Sequence, residues 1–221
     1  MKYYLSRGDI AKIYALSRNP IQLGDPRIIA VSVDLEDVES IKKAALGIAT
    51  KSLDLVIVAT GILHDEELLK PEKRLKDLSA NNMTRVFLIN AIGPALIMQH
   101  FLPLLKDSKK VIFVALSARV GSISDNRLGG WHSYRASKAA LNMLIKTTSI
   151  EYSRVNKYAV IIGLHPGTVD TKLSKPYQAQ VDKMKLFSSE VAVVQLARVL
   201  DNLQLSDSGK IFSWDGKEVP P

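Results

Sequence analysis

Six apolar runs of strand length, separated by longer stretches of helical periodicity, constrain this chain more than any other feature. The runs are KIYAL (12–16), IIAVSV (28–33), LDLVIVA (53–59), KKVIFVAL (109–116), YAVIIGL (158–164) and KIFSW (210–214). Helical patterns lie between them, near 36–50, 82–105, 133–155 and 188–203. The runs are nearly continuous in apolar residues, as strands covered on both faces are, and their alternation with helices predicts βαβ units around a parallel sheet. In such open α/β sheets ligands bind beyond the carboxyl ends of the strands. The residues just after each run are therefore the candidate site.

At 221 residues and 47% hydrophobic content the chain suits one domain, spanning 1–221, with a full core. It has no cysteine, which excludes disulfides and thiolate metal sites and fits a reducing cytoplasm. The four histidines show no ligand spacing, so no metal is expected. No stretch approaches about 18 uninterrupted apolar residues, and charges fall where a signal peptide needs an apolar core. The expectation is a cytoplasmic protein without a membrane partner. A net charge of +8 would suit a polyanion if it were concentrated, but the basic residues are scattered from Lys2 to Lys217. A solvated surface is the better reading, and no nucleic-acid partner is expected.

After the fourth run comes LSARVGSISDNRLGGWHSYRASKAALNM, with Tyr134 and Lys138 four apart on a helical pattern. Residues at that spacing share a helix face, and a cation beside a phenol whose free pKa is about 10 favours the phenolate. Such a pair can exchange a proton with a substrate near neutral pH. Spacing alone is weak, because seven tyrosines make one such pair common. The surroundings are more specific: Tyr134-Arg135-Ala136-Ser137-Lys138 resembles the YxxxK helix of the short-chain dehydrogenases/reductases. Asp34-Leu35 after the second run, Ala59-Thr60-Gly61 after the third, Asn90 in FLINAIGP and Pro166-Gly167-Thr168-Val169-Asp170-Thr171 after the fifth follow that family's order. The wording RVGSISDNRLGGW and the ending WDGKEVPP are similar to its C-factor-like and carbonyl-reductase-like branch.

That resemblance implies a Rossmann-like doubly wound sheet and hydride transfer between a nicotinamide cofactor and a small carbonyl or alcohol substrate. Tyr134 would be the acid/base, Lys138 would lower its pKa and hold the nicotinamide ribose, and Asn90 would support a water linking to Lys138. Pro94, four residues after Asn90, removes one bond from the helix ladder there. Ser17 and Arg18 would reach the adenosine ribose. A guanidinium there favours NADP over NAD. Asp34 and Leu35 would flank the adenine, Ala59 and Gly61 would let the backbone approach the cofactor, and Pro166, Gly167, Val169 and Thr171 would hold the nicotinamide end. Residues 172–187 occupy the place of the family's substrate lid. The family's usual pairing through the helices bearing Asn90 and Tyr134 implies a homodimer or homotetramer.

Two departures stand out. Aligning Arg119-Val120-Gly121 places Ala118 where the family has its catalytic serine, leaving Ser117, one residue early, as the candidate and Ser122 as the other. Strand side chains alternate faces, so a shift of one turns the Ser117 hydroxyl away unless a bulge re-aims it. Second, the family begins with a strand, a TGxxxGxG loop and a helix whose N-terminus holds the pyrophosphate. Of the twelve glycines here no two are two residues apart, so that fingerprint is absent from these residues. The expectation is a sheet missing its first βα unit, with a gap of about 10 Å between the KIYAL and LDLVIVA strands. Activity is then expected to be impaired, and a non-catalytic signalling or interaction protein on the same scaffold is the alternative.

Overall fold

The computed structural model describes residues 1–21, 24–49, 51–65 and 68–221, residue 180 in its backbone only. In chain order the elements are helix α1 (Lys2–Leu5), strands β1 (Ile13–Ser17) and β2 (Ile28–Ser32), helix α2 (Val38–Leu46), strand β3 (Leu55–Val58) and helices α3 (Ala80–Phe87) and α4 (Gly93–Phe101). Then come β4 (Val111–Leu116), α5 (His132–Tyr152), β5 (Ala159–His165), β6 (Thr168–Val169), β7 (Leu186–Phe187), α6 (Ser189–Asn202) and β8 (Ile211–Ser213). Each of the six apolar runs forms a strand, and each of the four helical patterns holds a helix. The 36–50 pattern ends at Leu46 in the structure, and its residue 50 lies outside the described residues.

Strands β3, β4, β5 and β8 form a parallel sheet in that order. The two middle strands carry its core, and their side chains alternate between two layers as the pleat demands. Val111, Phe113, Ala115 and Ile161 face Ile41, Ile97, Phe101, Leu141 and Ile145 of α2, α4 and α5. Val114, Val160, Ile162 and Leu164 face the other way, toward Val199, Leu200 and Leu203 at the end of α6. This two-sided covering is why the runs read as continuously apolar.

β1 and β2 form a separate parallel pair, registered Ile13 to Ile28 through Ser17 to Ser32. Among the described residues no ladder joins β1 to β3, so the sheet comes in two pieces, broken at the point where the sequence predicts a gap. Tyr14 and Leu16 of β1 still pack against the larger core cluster.

The helical run from Ala80 to Leu104 is long and apolar enough by length and composition to cross a membrane, yet half of its most apolar window is buried against the protein. Its middle, Leu88–Ile92, is a π-turn. Pro94 has no N–H to donate to residue 90, and a π-turn is one way a helix absorbs a missing rung.

Candidate active site

α5 carries both Tyr134 and Lys138. Lys138 is 3% exposed, and its ammonium donates to the carbonyl oxygen of Leu116, at the end of β4, at 2.8 Å. The same nitrogen lies 5.9 Å from the centre of the Tyr134 ring. Burial governs both titrations. It pushes the phenol up to about 12 and the ammonium down from 10.5 to about 8. The expected lowering of the phenol by its neighbour is thus reversed here, because desolvation of the ring outweighs a cation whose hydrogen bond is spent on Leu116. At neutral pH the pair is a protonated phenol beside a largely protonated ammonium, a proton donor rather than an acceptor.

Asn90 sits in the π-turn with 0% exposure, so it is no helix-surface residue. Its Oδ1 accepts from the Ile62 N–H at 2.8 Å, and its Nδ2 donates to the Ile62 carbonyl at 2.8 Å and to the Ser137 hydroxyl at 3.1 Å. Ser137 in turn donates to the Tyr134 carbonyl at 2.8 Å. The side chain therefore ties the turn after β3 to the first turns of α5. Gly61 opens onto this junction: a Cβ there would lie 3.4 Å from Asn90 Oδ1 and 3.6 Å from Lys138 Nζ. Four of the predicted residues, Gly61, Asn90, Tyr134 and Lys138, thus meet at one place.

The serines do not join them. Ser117 is buried with its hydroxyl donating to Asn142 Oδ1 of α5 at 2.6 Å, which is the turned-away orientation that strand alternation implies. Ser122 donates to the Pro221 carbonyl at 3.2 Å and accepts from the Asp125 N–H at 3.1 Å. Ala118 occupies the intervening position and is buried.

The remaining predicted residues line the carboxyl ends of the strands. Ser17 and Arg18 are exposed at the end of β1, and the guanidinium has no hydrogen bond or ion pair to the described residues. Asp34, half-buried, is held through its N–H and carbonyl by the Ser40 hydroxyl, both at 2.9 Å. Leu35 is buried over Gly93, where a Cβ would come within 2.9 Å of it, so this side chain packs the helix rather than standing free. Ala59 is exposed beyond β3. Pro166, Gly167 and Val169 are half-buried and Thr171 exposed. Gly167 has φ +74 and a Cβ there would meet Phe187 at 2.7 Å and Trp214 at 2.9 Å, so only glycine fits.

The chain matches the short chain dehydrogenase family over residues 11–182. It belongs to the short-chain dehydrogenases. Among its relatives, the C-signal protein of Myxococcus xanthus is 34% identical over 146 residues, covering 66% of this chain and 82% of that one. A 1-hydroxy-2-glutathionyl-2-methyl-3-butene dehydrogenase from a Rhodococcus species is 32% identical over 186 residues, 83% of this chain and 76% of the relative. Among solved structures, an NADPH-bound carbonyl reductase from chicken fatty liver superposes with a TM-score of 0.84 at 27% identity, covering all of this chain and 92% of that one. As a short-chain dehydrogenase the chain is an α/β enzyme of the oxidoreductase type with a Rossmann-like sheet.

Three features of this short-chain dehydrogenase escape a sequence reading. Leu186–Phe187 pairs with Thr168–Val169, so the segment between them is pinned where it leaves and where it returns. Tyr177 of that segment stacks edge-on against Trp131 at 5.0 Å, and Trp131 against Tyr134 at 6.2 Å. Glu72, from an irregular segment, is buried against the start of α5. Only Trp131, four residues ahead of Arg135 in the quoted motif, had a signal in the sequence.

Proposed function

We propose that this chain is built for NADP(H)-dependent hydride transfer between nicotinamide and a small carbonyl or alcohol substrate. The observation that carries the reading is the junction at which a half-buried, protonated phenol, a buried ammonium and Asn90 meet beside Gly61 and the strand ends. The nicotinamide end of the cofactor suits this donor set. Lys138 has three N–H groups and spends one on Leu116, leaving two for ribose hydroxyls, and Gly61 lets a ligand approach the backbone. Val169 and Thr171 would face the carboxamide end. When bound, the cofactor supplies the hydride.

The protein's part is to hold the substrate oxygen within reach of the Tyr134 hydroxyl, which donates its proton as charge develops on that oxygen. Lys138, kept cationic below about pH 8, stabilises the phenolate left behind. Arg18, without a partner among the described residues, would meet a 2′-phosphate, which supports NADP over NAD. In these 221 residues no glycine loop at a helix N-terminus is offered to the pyrophosphate, so by themselves they should bind NADPH weakly and turn over slowly. Cytoplasmic location fits the lack of cysteine, and pairing through the helical run of Asn90 and through α5 into a dimer or tetramer fits the exposed Ile92, Met143 and Ile150.

The test is NADPH calorimetry on the 221-residue chain, repeated with a strand, TGxxxGxG loop and helix placed ahead of Met1. Affinity and melting temperature should both rise with the added unit, and carbonyl reduction should appear. Tyr134→Phe in that form should abolish reduction while leaving NADPH binding nearly intact; an equally active Phe variant would remove Tyr134 from the mechanism.

A second reading, a non-catalytic signalling or interaction protein, is favoured by one observation: neither serine offers a free hydroxyl and Ala118 stands between them. Micromolar NADPH binding without reduction of any carbonyl compound in the extended form would select it.

A further inference from the structure

The helix that carries Tyr134 has no cap of its own. Its N-cap is Trp131, held in the left-handed region at φ 53 and ψ 43. An indole offers a donor and no acceptor, so nothing local meets the free N–H groups of the first turn. The acceptor comes from 61 positions earlier in the chain. Glu72 takes the Ser133 N–H on Oε2 at 3.1 Å and the Ser133 hydroxyl on Oε1, while its backbone carbonyl takes the Trp131 N–H at 2.5 Å. Glu72 is 5% exposed and Ser133 2%.

The ground around this contact is shaped to receive it. Gly130, at φ +64, lies against the backbone of Glu72 and Lys73, where a Cβ would sit 3.5 Å from the Glu72 carbonyl oxygen. Arg135 Nε closes the turn from the other side by donating to the Gly130 carbonyl at 3.0 Å. One buried residue thus fixes positions 131 and 133, and the next position is the phenol.

We propose that Glu72 is a positioning residue for Tyr134, its carboxylate and carbonyl setting where the first turn of α5 stands and hence where the phenol points. The proposal rests on the reading of Tyr134 as the proton donor. Stability alone is a poor account of such a contact. A carboxylate taken out of water costs free energy unless it is well bonded, and α5 is already fastened along its length by Leu141 and Ile145 in the core. What the helix packing leaves open is its first turn. There an error of about 1 Å in the acid costs on the order of 100-fold in rate.

The helix supplies its own control. Tyr152, at its far end, donates to the Leu102 carbonyl at 2.6 Å. With 13Cζ-labelled tyrosine in the 221-residue chain, and Tyr134→Phe to assign its resonance, Glu72→Ala should shift or broaden Tyr134 and leave Tyr152 as it was. Amides of residues 133–137 should exchange about tenfold faster while those of 145–150 keep their rates. Glu72→Gln, which keeps an acceptor oxygen at the same reach, should restore most of both. In the form that turns over, Glu72→Ala should lower kcat by about 100-fold at unchanged KM for NADPH, and Gln should recover it. An unmoved Tyr134 in a folded Ala variant, or equal disturbance of Tyr134 and Tyr152, overturns the proposal. Should Glu72→Ala fail to fold, Ser133→Ala, which deletes one of the three bonds, provides the same comparison. The resonance arm needs no turnover: an inactive parent protein with a moved Tyr134 would defeat the proton-donor reading and leave the positioning contact standing.

Discussion

Lys138 is held charged where water hardly reaches, and that burden is measurable. Its ammonium is pushed from 10.5 to about 8 in the folded chain. Between those values the unfolded chain binds the proton and the folded chain does not, so stability rises with pH from about 8 to about 10.5; above about 10 the raised phenol of Tyr134 begins to oppose it. Below pH 8 the burden is complete. Lys138→Met should therefore stabilise the protein near pH 7, by up to about 3 kcal/mol on the linkage arithmetic, and should abolish the rise across that window. Urea unfolding of the two proteins at several pH values decides it, and a destabilised Met variant with an unchanged pH slope would show that burial is not what perturbs this lysine. The same lysine bears on Gly121, where a Cβ would come within 2.8 Å of the Lys138 carbonyl carbon and 2.9 Å of its Cβ. Gly121→Ala should cost about 1–3 kcal/mol, read by thermal unfolding, because the helix must shift away. At this scale the sequence was informative about identity and silent about environment. Tyr134 and Lys138 were legible from the motif around them rather than from their spacing, and the turning of the Ser117 hydroxyl to Asn142 agrees with strand alternation. The rise of the phenol was not, because it depends on what the rest of the chain places over the ring.

Elements differ in how firmly they are held. β4 and β5 are paired on both sides and covered by helices on both faces, whereas β1 pairs only with β2 among the described residues. Amide exchange should therefore separate them. Protection in β1 and β2 should be lost at much lower free energy than in β4 and β5, which should open only with the whole molecule. Equal protection would mean that the two pieces of sheet behave as one. The helices could be read from periodicity because each buries one face against the core, and the strands from continuous apolar runs because the central ones are covered on both sides. The π-turn at Asn90 was half-legible, since Pro94 announces a missing hydrogen bond without saying how the helix will absorb it. The two-residue ladder of β6 and β7 has too few residues to show a period. The Glu72 cap was invisible for another reason: its two partners lie 61 positions apart, and only the fold brings them together.

For the molecule as a whole, the outer faces of the two long helical runs remain to be covered. Ile92 is 46% exposed, Met143 66% and Ile150 51%, the last two a double turn apart on one side of α5. Burying this face in a two-fold pair is the expected arrangement, so sedimentation should show a dimer or tetramer at micromolar concentration, and Met143→Glu should yield monomer. A wild-type monomer would sink it. A closed pair of that kind uses helices and leaves the strands untouched, which gives the break in the sheet a further significance. β1 and β3 each carry one edge with no ladder partner among the described residues, and Ile57 on β3 is 42% exposed. Such an edge is a template for another chain's backbone. An extended segment of another copy entering this break would meet both edges, and nothing in such a contact requires it to be reciprocal. Warming or concentrating the 221-residue chain should therefore give light scattering above that of a two-fold pair.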